Sequence, residues 1–209
     1  MCVSAGAPVA VVAALQAHAS SPAIAERACR AIYNLAGDSE GRAVCVSAGA
    51  PAAVLATLQA HTSSPASVER ACGAIINLAG DSEGLAACVL AGAPAAVVAA
   101  LRAHASSPVI AERACWAIQN LAGGSEGRAA CVLVGAPAAV LTALRAHASS
   151  PAIAEHACGA ICNLAGSSEG RAACASVGAV AAVVSTQAQH RSVASVAELC
   201  AAVLARLSL

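Results

Sequence analysis

The chain has 209 residues, of which 59% are hydrophobic, 11% charged and 1% aromatic; eleven arginines, with no lysine, balance eleven acids. That composition is too apolar and too weakly charged for a disordered chain, and it lacks the basic stripe that marks a nucleic-acid surface. One Trp, one Tyr and no Phe leave little to line a large aromatic pocket.

Cysteine recurs at positions 2, 45, 88, 131 and 174, and histidine at 18, 61, 104, 147 and 190, each 43 residues apart. Cys29, Cys72, Cys115 and Cys158 form a third series, and Asn34, Asn77, Asn120 and Asn163 a fourth. The repeats run 2–44, 45–87, 88–130 and 131–173, with a partial fifth over 174–209, in one array spanning 1–209. A fixed period of this length means one supersecondary unit stacked on copies of itself.

Within a unit the elements follow from punctuation. Asp81-Ser82-Glu83 predicts a short helix opened by an N-cap hydroxyl, with an acid in its first turn. That helix is expected to end at Leu90 or Ala91, before Gly92, a residue suited to the left-handed C-cap position. Pro94 then takes the first position of a second helix, where its missing N–H costs nothing. This helix carries Val97, Val98 and Leu101 and ends near His104. Ser107 and Pro108 repeat the device and open a third helix of about fifteen residues, roughly 22 Å, through Asn120 to Gly123. In the first copy its apolar stripe is Ile24, Ala28, Ile32 and Leu35. Nothing reads as a strand.

Two signals imitate targeting. Gly84–Leu101 is an uncharged run at the length threshold for a membrane span, but Gly92-Ala93-Pro94 interrupts it and it recurs in other units. Ala17-His18-Ala19 resembles a cleavage site, yet it recurs at 103–105 and 146–148 and no basic segment precedes it. Neither a span nor a signal peptide is expected, so a cytoplasmic or nuclear location follows, with reduced cysteines that act as small apolar side chains.

The segment AGAPAAVVAALRAHASSPVIAERACWAIQNLAGGSEGRAACVLVGAP, residues 91–137, resembles the armadillo repeat family nearly end to end, and its motifs recur along the whole chain. The resemblance implies an all-α, right-handed α-solenoid whose third helices line a concave groove. It implies a non-catalytic protein–protein interaction module that binds an extended peptide or a disordered segment there. The alternative is a structural fragment of a longer armadillo scaffold. Peptide-binding members carry a Trp followed four residues later by Asn on the third helix. Here that pair occurs once, as Trp116 and Asn120, while Arg30, Gly73 and Gly159 stand at the equivalent Trp positions. This departure argues against binding of a nuclear-localisation signal.

Residues four apart share a helix face, so Glu26, Arg30 and Asn34 form one stripe and Glu112, Trp116 and Asn120 another. An Asn amide both donates and accepts. The ladder of Asn34, Asn77, Asn120 and Asn163 therefore either grips a peptide backbone or bonds the neighbouring repeat or its own helix end. Three positions drift between copies: Arg27, Arg70, Arg113 and His156; Arg30, Gly73, Trp116 and Gly159; Tyr33, Ile76, Gln119 and Cys162. Packed positions cannot drift freely, so this edge is expected to face solvent or ligand, with Trp116 as its anchor. Arg30, Glu112 and Gln119 complete the candidate peptide-binding set. With the core stripe opposite, replacing Trp116 or Asn120 by Ala is not expected to unfold the array. Overall neutrality predicts binding that depends weakly on salt.

Equivalent histidines in stacked units are about 8–10 Å apart, too far to share a metal whose Zn–N bonds are about 2 Å. Cys158, Cys162 and His156 are the one local cluster, and a fourth ligand is lacking. No metal, cofactor or catalytic group is expected. Met1 falls inside what should be the first helix of a unit, so an uncapped start and self-association through the ends are expected.

Overall fold

Serine before proline, glycine before Ala-Pro, and an acid before Ser-Glu-Gly each set one helix boundary in the computed structural model, which describes residues 6–208. Among these residues there are fourteen helices and no strand. The nine-residue first helices are α3 (Ser39–Ser47), α6 (Ser82–Leu90), α9 (Ser125–Leu133) and α12 (Ser168–Ser176). The eleven-residue second helices are α1 (Ala7–Ala17), α4 (Ala50–Ala60), α7 (Ala93–Ala103), α10 (Ala136–Ala146) and α13 (Ala179–Gln189). The fourteen-residue third helices are α2 (Pro22–Leu35), α5 (Pro65–Leu78), α8 (Pro108–Leu121), α11 (Pro151–Leu164) and α14 (Ala194–Leu207). Cys2 and the expected missing helix at Met1 lie outside the described residues.

At the corner between first and second helices, Gly92 has φ of 92°, a left-handed conformation that side chains resist. The two helices there meet at 73°, and the other corners bend by 73–75°. This bend breaks the long apolar run: among the described residues no single helix is long and apolar enough to cross a membrane. Each third helix opening with Ser-Pro is capped as expected, Ser107 Oγ accepting from the Ile110 N–H at 3.4 Å and Ser150 Oγ from Ile153 at 3.3 Å. The first helices differ from expectation. Asp81 is the N-cap of α6, and its carboxylate accepts the Gly84 N–H at 2.8 Å; only in α12 does a hydroxyl, that of Ser167, serve.

Gly84 itself has a second reason to be glycine. A Cβ there would lie 1.9 Å from the Leu78 carbonyl oxygen, because α6 starts against the end of α5. Gly41, Gly127 and Gly170 make the same approach to Leu35, Leu121 and Leu164.

The core is a set of columns, one residue per unit. Cys29, Cys72, Cys115 and Cys158 are fully buried, as are Ile32, Ile75, Ile118 and Ile161. The small residues Ala71, Ala114 and Ala157 beside them let consecutive third helices pack directly, α2 on α5 on α8 on α11 on α14. The cysteines behave as apolar filler: burial pushes the thiols of Cys29, Cys72, Cys88, Cys115 and Cys131 up to about 12. Polar bonds tie the units too. Four of the periodic histidines each cap a second helix and reach a carbonyl of the preceding unit through Nε2: His61 to Ala19 at 2.8 Å, His104 to Thr62 at 2.7 Å, His147 to Ala105 at 2.9 Å and His190 to Ala148 at 2.7 Å. The expected placement near the helix end holds, and the bond across units explains the strict spacing.

Candidate peptide-binding groove

The last turn of an α-helix leaves carbonyls without intrahelical donors. In this chain the next unit supplies them. Asn77 Nδ2 donates to the Tyr33 carbonyl at 2.7 Å, Asn120 Nδ2 to Ile76 at 2.9 Å, and Asn163 Nδ2 to Gln119 at 2.8 Å. In the last unit Arg206 replaces Asn and makes the same contact with the Cys162 carbonyl at 3.0 Å. Of the two readings of the ladder, bonding to the neighbouring repeat is therefore present. One amide N–H of each of these three asparagines is committed, while the side chains remain half-buried rather than sealed. Asn34 is exposed.

A second clamp crosses the same junctions. Arg42 Nε donates to the Asn77 carbonyl at 2.6 Å, and its Nη1 to Asp81 at 2.9 Å. That guanidinium, with the Gly84 N–H, holds the Asp81 carboxyl below the usual carboxylate range. Arg128 Nε meets the Asn163 carbonyl in the same way at 2.7 Å. Between them the clamp is missing, with both partners replaced together: Leu85 stands for Arg and Gly124 for Asp. Leu85 Cδ2 lies only 3.2 Å from where a Gly124 Cβ would be. An open cleft results, bordered by Asp81, Leu85, Gln119, Asn120 and Asn163.

Part of the drifting edge is a seam between units, while Arg27 and Arg30 remain exposed. Gly73 and Gly159 are buried, and Ile76 is 2% exposed. Tyr33 Cδ2 lies 3.7 Å from the Cβ position of Gly73, and the Gln119 amide lies 2.6 Å from that of Gly159. Drift is thus coupled across units: a large side chain on one helix faces glycine on the next. Interiors change freely only in such compensating pairs.

Trp116 is half-buried, packs against the core, and stacks on His156 with ring centroids 4.6 Å apart and planes 7° from parallel. Burial lowers the His156 pKa, outweighing the Glu155 and Glu112 charges that favour its protonated form. Its Nδ1 lies 3.3 Å from Gln119 Oε1. Trp116, Glu112, Gln119 and Asn120 are therefore brought together with His156, and Arg30 lies elsewhere on the face, exposed. Cys158 Sγ lies 3.6 Å from Cys200 Sγ in the next unit.

Arg30 borders a different cleft with Tyr33, Glu69, Arg70, Gly73 and Arg113. The guanidinium of Arg113 lies 5.8 Å from the Tyr33 ring centroid, across the space that Gly73 leaves open. Tyr33, Arg70, Gly73 and Arg113 all belong to the drifting edge, and only the stacking makes them converge. Balanced net charge concealed the cluster.

This architecture has solved counterparts. A designed armadillo repeat protein in complex with the peptide (KR)4 superimposes with a TM-score of 0.84 at 26% identity, over 99% of this chain and 84% of that one. Another designed armadillo repeat protein gives 0.86 at 26% identity, covering 99% and 84%. Computationally designed armadillo repeat proteins for modular peptide recognition give 0.84 at 26% identity, covering 98% and 83%. No protein-family model and no curated protein sequence matches the chain. Three helices per unit, the glycine corner and these likenesses make the chain an armadillo repeat array, an all-α solenoid.

Proposed function

We propose that the chain is a non-catalytic binding module that holds an extended peptide or a disordered segment along the face of its third helices. One observation carries the reading: Asn77, Asn120 and Asn163 stand at constant intervals, half-buried, each with one amide N–H engaged. The second N–H and the Oδ1 of each have no other partner among the described residues, and they suit a peptide backbone whatever its side chains. Trp116 beside them supplies the apolar contact, held rigid by His156. The solved arrays described as built for modular peptide recognition support the same use of the fold. Fluorescence anisotropy with labelled extended peptides tests it. Replacing Trp116 by Ala weakens binding by about 2 kcal/mol or more if the indole is the anchor. Unchanged affinity in a Trp116→Ala protein that keeps its helicity contradicts that role.

A further inference from the structure

The chain carries no net charge, yet its charges are not evenly spread over the third-helix face. The cleft between α2, α5 and α8 is lined by Arg30, Arg70 and Arg113 against one acid, Glu69. Glu69 Oε1 pairs with Arg70 Nη1 at 3.2 Å. Among the described residues, Arg30 and Arg113 have no carboxylate within ion-pairing distance. Glu26 and Glu112 occupy the helical position of Glu69 on their own helices but do not line the cleft. Arg113 is instead held over the Tyr33 ring at 5.8 Å. An aromatic face orients a guanidinium and leaves its charge unneutralised.

The floor of this cleft is Gly73. The equivalent position in the next unit is Trp116, which stacks on His156. Glycine inside a helix is unfavourable by about 1 kcal/mol relative to alanine, and a Cβ here would meet only Tyr33 at an ordinary 3.7 Å. Packing therefore admits an alanine here, and the absence of any side chain keeps the cleft open between three guanidinium groups.

We propose that this cleft receives an acidic side chain, an Asp or Glu carboxylate, from the segment bound along the third helices, so that the ligand is an acidic peptide. This rests on the peptide-binding reading above and adds the sign of the ligand. A carboxylate takes paired N–H bonds from a guanidinium and offsets one of the two uncompensated cations of the site. A lysine or arginine entering the same space meets like charges, whose juxtaposition opposes binding.

The test uses the full chain and three labelled peptides of equal length: alternating Asp and Glu, alternating Lys and Arg, and a neutral Ser–Asn sequence. The acidic peptide is expected to bind about tenfold or more tightly than the other two, because hydrogen bonds to charged groups contribute most. Its advantage should shrink as salt rises. Arg30→Gln, at an exposed position, should weaken the acidic peptide and leave the neutral one unchanged. Arg113→Gln should do the same, with circular dichroism confirming that loss of the Tyr33 contact has not unfolded α8. Arg171→Gln, on α12 and away from the cleft, should change nothing. Equal or tighter binding of the basic peptide overturns the proposal and leaves the groove reading intact. In a separate titration, a phosphoserine peptide of the same length that outbinds the acidic one tenfold overturns the carboxylate assignment. Binding of none of the peptides overturns both readings.

Discussion

At the scale of single residues, the repeated glycines and asparagines divide by what stands opposite them. Gly84 is required by backbone: its Cβ would fall 1.9 Å from the Leu78 carbonyl oxygen, which cannot rotate away. Gly84→Ala is therefore expected to destabilise the array by about 1–3 kcal/mol, as overpacking does. Gly73→Ala meets ordinary contact and is expected to stabilise by about 0.5–1 kcal/mol. Urea denaturation of the two variants checks both signs. Asn120 Nδ2 satisfies the Ile76 carbonyl, so Asn120→Ala leaves a helix end unpaired and is expected to lower stability by about 1–3 kcal/mol. Of the two roles that the sequence left open for the ladder, this is the bond to the neighbouring repeat, although replacing Asn120 was not expected to unfold the array. The 43-residue period made the ladder visible. Its partner lies 44 residues back on another helix, and only the stacking reveals it.

At the scale of the helix, the junctions between units differ where both clamp partners change at once. Arg42 and Asp81 join α3 to the start of α6, whereas Leu85 and Gly124 leave the next junction open. Restoring the pair with Leu85→Arg and Gly124→Asp should give a favourable coupling of about 0.2–1 kcal/mol in a double-mutant cycle, typical of an exposed ion pair. Additive single effects would mean that the clamp does not re-form. The α8–α11 seam carries a pH dependence. Burial holds the His156 pKa below its ordinary 6.5, so the unfolded chain takes up the proton more readily than the folded one. Stability from the neutral imidazole is complete above pH 6.5 and is lost as pH falls through the lowered folded value. Thermal melts of the wild type and His156→Gln should converge in pH dependence at neutral pH and diverge on acidification, the variant lacking this loss. The corner glycines and the Ser-Pro caps of these helices were legible because they are local chemistry. The cap is Asp81 rather than the expected hydroxyl, and adjacent Asp and Ser are hard to tell apart in sequence because both residue types cap well. The seam was not legible, since drift looks alike whether positions are exposed or compensate one another in pairs.

For the whole molecule, five stacked third helices form one continuous face, and repetition makes any polar group on it a ladder. The 43-residue period indicated a stacked helical array, and net neutrality suggested weak electrostatics. Stacking separates those charges, so local sign and total charge diverge. The central claim is that this face binds an extended segment. Trp116 is the only tryptophan in the chain and lies on that face, so its emission reports occupancy without a label. Intrinsic fluorescence should change saturably as an extended acidic peptide is added, with the same midpoint as anisotropy of the labelled peptide. Saturable anisotropy with unchanged Trp116 emission would place the ligand elsewhere and contradict the account.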